Sequence, residues 1–507
     1  MMIPFRTLCA LVGAWLLITR THAQVDTVAL RFAGTITEAE LLDHLTIIAS
    51  DAYQGRDTGK DGQKMAAAYL KEAFIQAGIP PVVPSDPSAI VEGYFQPFEV
   101  IEERSGTISL VKGDRVYRHG KELVNFQERL TMDGQVDQLT FVPARLKPAA
   151  NALVGMDVLI DGNSLGGFPA LLDGLRDRSD EFRKAGARLV LVTVDDLGAM
   201  IPQLHLRGSQ MRLADQVKKT DRGSSNTQII LVDAQAMQEL LGEHALVKLK
   251  KRRRIHTVPV DIRLAVEAGE QRLTTENVLA YIEGTDKKDE LVVLTAHYDH
   301  VGVEDGVVYN GADDDGTGTV AMIEIAEAFA MAKAAGKGPR RSVLVMPVSG
   351  EEKGLLGSRY YSEHPVFPLA NTVADLNIDM IGRRDSAHAT SEPYIYVIGS
   401  DRLSTGLHEA NERANGLYSK LTLDYTFNAE SDPNRFYYRS DHYNFARKGV
   451  PSLFYFSGIH EDYHQPGDDV EKIDFGLLHQ RTLLAFHTAW ILANQEERIV
   501  VDKPVKP

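Results

Sequence analysis

The sequence predicts an α/β protein: a mixed, mostly parallel, doubly wound sheet flanked by helices, with an inserted β-rich α/β accessory domain. Three observations lead there. After Asn277, apolar runs of strand length alternate with segments of helical periodicity, which is the pattern of βα units that cover both faces of a sheet. Between about residues 106 and 258 the pattern changes to short strands and turns. The length of 507 residues also exceeds what one hydrophobic core ordinarily organises.

Taken in order, residues 1–23 read as an export signal. Arg6 precedes the apolar run TLCALVGAWLLIT, and small residues allow cleavage near Ala23. The run is short for a membrane span, so no integral membrane segment is expected after its removal. Cleavage would remove Cys9, the only cysteine, leaving a periplasmic or secreted bacterial protein held together without disulfides. Residues 35–49 form an expected helix capped by Thr37, with Leu41, Leu42, Leu45 and Ile48 on its apolar face. A second helix over 63–77 carries Met65, Tyr69, Leu70, Phe74 and Ala77, and Gly78 ends it. The loop between them holds Gly55 and Arg56, which suit either a structural turn or a loop reaching an active site.

In the middle segment a helix is expected at 179–185, strands at 187–194 and 227–232, and a helix around 234–241. No His and carboxylate cluster with ligand spacing occurs there, so it reads as accessory. The basic run KLKKRRR at 248–254 is expected on a solvated strand edge or hairpin. With a formal net charge of −15 for the chain, a nucleic-acid surface is excluded. Beyond Asn277 the expected strands are 278–282, 291–296, 342–348, 373–378, 394–398 and 452–456. Helices are expected over 317–332 and 481–493, and a frayed tail at 503–507. Pro347 inside an apolar strand suits an edge or a strand end.

Chemistry concentrates between Leu291 and Glu352. LVVLTAHYDHVG carries His297 and Asp299 to a strand end, YNGADDDGTG carries Asp313, Asp314 and Asp315 into a helix, and RSVLVMPVSGEEKG ends at Glu351 and Glu352. Side chains at the carboxyl ends of strands in an open α/β sheet converge on one crevice. Asp379 and His464 complete a set of two imidazoles and three carboxylates. Such a set points to a two-metal hydrolase centre, and without cysteine it suits zinc, with cobalt or manganese as substitutes. His300 has no role in this pattern and reads as a supporting or packing residue. Ser440, Asp441 and His442 are neighbours in sequence, which cannot easily converge as a hydrolytic triad. His460 and Glu461 read as loop residues near the site.

The order HYD, GADDDGTG, GEE, NIDMIG, SDHYNF and YHQPGDD resembles the family of co-catalytic zinc aminopeptidases that also includes glutamate carboxypeptidase, the transferrin receptor ectodomain and the glutaminyl cyclases. The resemblance covers roughly residues 35–105 and 276–494. The middle segment is similar to a protease-associated domain, on GMDVLI and RKAGARLVLVTV. The implied organisation is a signal peptide at 1–23, a zinc peptidase domain at 24–105 plus 259–498, an inserted protease-associated-like domain at 106–258 and a tail at 499–507.

By position, the resemblance implies two Zn²⁺ bridged by Asp314, with His297 and Asp379 on one ion and Glu352 and His464 on the other. Glu351 would be the general base, Asp299 the carboxylate that orients His297, and Tyr463 a hydrogen-bond donor to the oxyanion. The implied function is an exported aminopeptidase that hydrolyses N-terminal residues from peptides through a water activated by two zinc ions. The alternatives are a carboxypeptidase or dipeptidase of the same fold, a single-zinc glutaminyl cyclase, or a metal-free receptor-like binding protein. The intact HYD motif favours a peptidase over a cyclase, and the full donor set argues against a metal-free protein. Peptides are the expected partners, and the sequence leaves oligomeric state open.

Overall fold

The elements that position the site are, in chain order, helices α1 (Glu38–Ile48) and α2 (Asp61–Gln76); strands β1 (Phe95–Lys112), β2 (Gly134–Phe141) and β3 (Asp157–Asp161); helix α3 (Ala170–Ala185); strands β4 (Leu189–Val194) and β5 (Gln228–Asp233); helix α4 (Ala234–Leu241); strands β6 (His256–Val278), β7 (Ala280–Ile282) and β8 (Lys287–His297); helix α5 (Gly318–Ala334); strands β9 (Arg341–Val348), β10 (Thr372–Ile378), β11 (Tyr394–Ile398), β12 (Thr422–Asp424) and β13 (Ser452–Phe456); and helix α6 (Phe475–Asn494). They come from a computed structural model that describes residues 25–84, 88–126, 133–143, 145–166, 170–201, 210–216, 227–242 and 244–504. The expected signal peptide and its cleavage point lie outside the described residues.

The principal sheet has seven strands in the order β7-β9-β8-β10-β13-β11-β12. Its centre, β9-β8-β10-β13, is parallel, while β7 and β11 run antiparallel to their neighbours β9 and β13. The central strands are buried along nearly their whole length, as strands covered on both faces must be. One face packs α5 and α6, where Phe329, Phe486 and Trp490 form an aromatic cluster. The other buries Leu291, Val293, Leu344 and Met346 beneath Tyr361 and Phe445. Helix α5 is mostly apolar and most of its residues are buried, because it lies between the sheet and further helices rather than at the surface.

A nine-stranded second sheet includes β1-β6-β2-β3-β4-β5 in that order. Strands β1 and β6 pair antiparallel from Phe95↔Val278 to Val111↔Arg263, forming a continuous ribbon out of the principal domain. Of the division expected at 105/106 and 258/259, the first falls in β1 within this ribbon and the second in β6 beyond it, where Val258 and Pro259 pair with Leu139 and Gln138 of β2. Beyond it β3, β4 and β5 are parallel, with α3 covering one side through Leu171, Leu175 and Phe182.

Three expectations change in detail. The KLKKRRR run is not a strand edge: its first part lies in a helix, Ala245–Lys250, whose Leu246 and Leu249 are buried at helical spacing, and the arginines follow in an exposed turn. Helix α3 begins at Ala170 rather than 179, and α6 at Phe475 rather than 481, where Asp474 accepts a capping hydrogen bond from Leu477 N. Pro347 lies past Val345, where the pairing with β7 stops, so its missing N–H removes no bond to that strand.

Candidate metal centre

Parallel register brings the candidate residues to one level. His297 at the end of β8 lies opposite Val348, three residues before Glu351, and Thr295 lies opposite Asn377, two before Asp379. Each chain leaves its strand beside its neighbour's exit, so residues distant in sequence meet there. His464 arrives from the loop after β13.

Asp314 occupies the centre. Its Oδ1 stands 3.2 Å from His297 Nε2, and its Oδ2 stands 3.0 Å from His464 Nε2. Asp379 Oδ1 lies 3.6 Å from the same His297 nitrogen, and Glu352 Oε2 lies 3.1 Å from the same His464 nitrogen. The five expected ligands therefore form two donor sets that share one carboxylate.

The flanking aspartates hold the loop. Asp315 accepts from the backbone N–H groups of His297 (3.2 Å), Gly318 (2.9 Å) and Met380 (3.0 Å), which ties two strand ends to the start of α5. Asp315 also lies near His297 and Asp379 in a ligand-like group, but these three donors engage both its oxygens, whereas Asp314 faces both His297 and His464. Asp313 accepts from Gly382 N at 2.6 Å and Thr317 Oγ1 at 3.0 Å, while Asp468 accepts from the backbone N–H groups of Asp313 and Asp314. His460 Nε2 lies 3.2 Å from Asp313 Oδ2.

One expected role changes. His297 Nδ1 meets the backbone oxygen of Asp299 at 3.0 Å, whereas the Asp299 carboxylate is 3.9 Å away. That carboxylate instead accepts from Thr58 Oγ1 at 2.7 Å and Glu351 N at 3.2 Å. The main chain of Asp299 thus orients the imidazole, leaving Nε2 toward the carboxylates, and its side chain anchors the turn that presents Glu351. Asp379 is held by Ser440, whose hydroxyl donates to Oδ2 at 2.6 Å and accepts from Asn377 Nδ2 at 2.8 Å. The SDH segment therefore supports the Asp379 carboxylate through Ser440.

Two contributors have no part in the motif pattern. Arg56 is fully buried, and its guanidinium donates to the carbonyls of Tyr298, Ile48, Asn310 and Gly311 at 2.7–2.9 Å. It clamps the HYD strand end to the GADDDG loop. The only sequence signal was its place in a turn-rich loop, which a surface arginine would share. His300, also fully buried, lies with Nδ1 3.0 Å from Glu352 Oε1 and 3.8 Å from Asp314 Oδ2.

The electrostatics favour cations here. Asp299, Asp314, Asp315, Glu351, Glu352 and Asp379 crowd one buried crevice. Burial raises the Glu351 carboxyl well above its ordinary range; His297 opposes this, while Glu352 and Asp379 add to it. Burial would keep the His297 and His464 rings neutral, yet the surrounding carboxylates outweigh it, raising His297 and pushing His464 up to about 10. The imidazoles draw in protons to balance the carboxylates, the same negative surplus that two divalent ions would neutralise. Asp314 Oδ2, Glu352 Oε1 and both His300 nitrogens are buried without a hydrogen-bond partner, so the donor set fits metal.

Residues 277–489 match Peptidase family M28. A probable zinc metalloprotease of Pyrenophora teres f. teres is 25% identical over 277 residues, which is 47% of this chain and 56% of that protein. A probable leucine aminopeptidase of Arthroderma otae is 27% identical over 231 residues, 44% of this chain and 59% of that one. The chain thus spans somewhat over half the length of these relatives. An aminopeptidase from Aneurinibacillus sp. strain AM-1 superposes with a TM-score of 0.54 at 17% identity, covering 94% of this chain and all of that one, a likeness of fold.

Proposed function

We propose that this chain, whose residues 277–489 match peptidase family M28, is an exported two-zinc aminopeptidase that releases N-terminal residues from peptides. The observation that carries the reading is Asp314, each of whose carboxylate oxygens faces a different imidazole, with Asp379 beside one and Glu352 beside the other. Zinc bound by these sets would polarise the scissile carbonyl and make a water acidic near neutral pH.

The remaining work falls to this chain's own side chains. Glu351 has its N–H anchored by Asp299, while its carboxylate lies 3.9 Å from His297 Nε2. That position suits it to take the proton of the attacking water and pass it to the leaving amine. Glu352, one residue on, turns instead toward His300 and His464. The Tyr463 ring stacks on His464 at 3.9 Å between centroids. Burial and the charges of Asp314, Glu352 and Glu351 raise its hydroxyl well above the ordinary value, so it stays protonated as a donor to the developing oxyanion. Export rests on the N-terminal signal, and no described helix is long and apolar enough to cross a membrane.

The test is a panel of free and N-terminally blocked peptides, with and without a chelator, alongside the zinc content of the purified protein. Aminopeptidase activity predicts cleavage of free peptides only, loss on chelation, and close to two zinc per chain. Equal cleavage of blocked peptides would exclude the aminopeptidase, and one zinc per chain would point to a cyclase.

A further inference from the structure

We infer that His300 is a metal ligand, so that one of the two sites is held by two imidazoles, His300 and His464, together with Glu352 and Asp314, while the other has only His297 with Asp314 and Asp379. The inference rests on the two-metal reading and extends its ligand set.

His300 Nδ1, Asp314 and Glu352 offer donor atoms within 4.8 Å of one another. The separations around this set are 3.0 Å from His300 to Glu352, 3.8 Å from His300 to Asp314, 3.0 Å from His464 to Asp314 and 3.1 Å from His464 to Glu352. Donors at about 2.0–2.2 Å from one zinc stand roughly 3–4 Å apart, and all four separations lie in that range. A simple hydrogen bond accounts for His300 less well. Its Nδ1 is close to Glu352 Oε1, yet the pair does not meet hydrogen-bond geometry, and neither ring nitrogen has a partner although the residue is fully buried. An imidazole so placed has exchanged water for a poorly aligned carboxylate contact at Nδ1 and for no hydrogen bond at Nε2. Coordination at Nδ1 supplies a partner for the nitrogen that faces the carboxylates.

The backbone around the ring is built to admit it. A Cβ on Gly311 would stand 2.4 Å from His300 Cγ and 2.5 Å from Cδ2, so only glycine leaves the imidazole its space. On the other side, His300 N donates to Arg56 O at 3.2 Å, so the clamp that fixes the metal loops also fixes this ring. Two nitrogen donors against one make the two sites unequal toward borderline metals. The ion beside His300 is the one retained when metal is scarce.

Titration of the metal-stripped full-length protein with Co²⁺ alone, followed by visible absorption and calorimetry, tests this. Wild type should load in two resolved steps. In His300→Ala the tighter step should weaken by roughly 100-fold or more, beyond the 10–100-fold usual for groups that only support a ligand, and the cobalt bands of the filled protein should change. Unchanged steps and bands in a folded His300→Ala protein would overturn the assignment while leaving the peptidase reading intact. Failure of wild type to bind any cobalt would overturn both. A crystal structure of the zinc-loaded wild type makes the test independent of any variant. An ion at about 2.0–2.1 Å from His300 Nδ1 supports ligation, and one beyond about 3 Å refutes it.

Discussion

Both sheets bring carboxylates to the ends of parallel strands, but they treat them differently. In the inserted sheet, Asp161 at the end of β3 lies 3.1 Å from Lys250 Nζ. Asp233 at the end of β5 caps α4, accepting from Gln235 N at 2.9 Å and Ala236 N at 3.3 Å. Each charge has its own cation or helix end. In the principal sheet, the described ion-pair partners of Asp314, Glu352 and Asp379 are all imidazoles. The nearby buried arginine, Arg56, is turned toward carbonyls instead. Carboxylates left among imidazoles suit a metal centre, whereas those given a lysine or a helix end become ion pairs and caps.

A third fate is seen in α5. Glu324 is buried with His44 Nε2 3.5 Å away, and burial, reinforced by Glu40 and Glu327, pushes its carboxyl up to about 8. A carboxyl raised that far is largely protonated at neutral pH.

The largest expected effect separates proton transfer from metal binding. Glu351→Gln should lower kcat by about 10²–10⁴-fold while retaining full metal content; retained turnover would remove Glu351 from its role. Next comes the clamp. Arg56→Met should destabilise the protein by at least about 3 kcal/mol, because several buried carbonyls lose charged donors, and should release metal. Urea unfolding and metal analysis measure the two, and normal stability with full metal would show that the loops stand without it.

Glu324→Gln is a smaller, pH-dependent test. A folded-state pKa raised above the unfolded value contributes stability that is present below about pH 4.5 and lost as pH rises toward 8. The variant should match wild type near pH 4.5 and melt a few degrees higher near pH 9. A constant difference across that range would mean that Glu324 does not titrate there. The smallest effect belongs to the inserted sheet: Asp233→Ala should cost about 1 kcal/mol as a lost cap and leave metal content unchanged. Loss of metal in that variant would erase the contrast between the sheets.

The strand pattern after Asn277 was legible because buried parallel strands are nearly continuous apolar runs, and these lead to His297 and Glu352. The long β1–β6 ribbon was not, since its polar, alternating residues read as separate short strands. His464 and Asp379 were legible through motif order. His300 and Arg56 were not, because a histidine or arginine next to a motif looks the same whether it faces solvent or a carboxylate.

The sequence by itself determined the inventory: which donor types the chain carries, in what order, and on strands whose ends must converge. Only the tertiary structure decided which atoms face each other. It gave the orientation of His297 to the backbone oxygen of Asp299, turned Asp315 inward to three backbone N–H groups and Asp314 outward to two imidazoles, and brought His300 beside Glu352. The physical reason is that donor identity is a property of one residue, whereas orientation depends on parallel register and a buried guanidinium that join segments far apart in the chain.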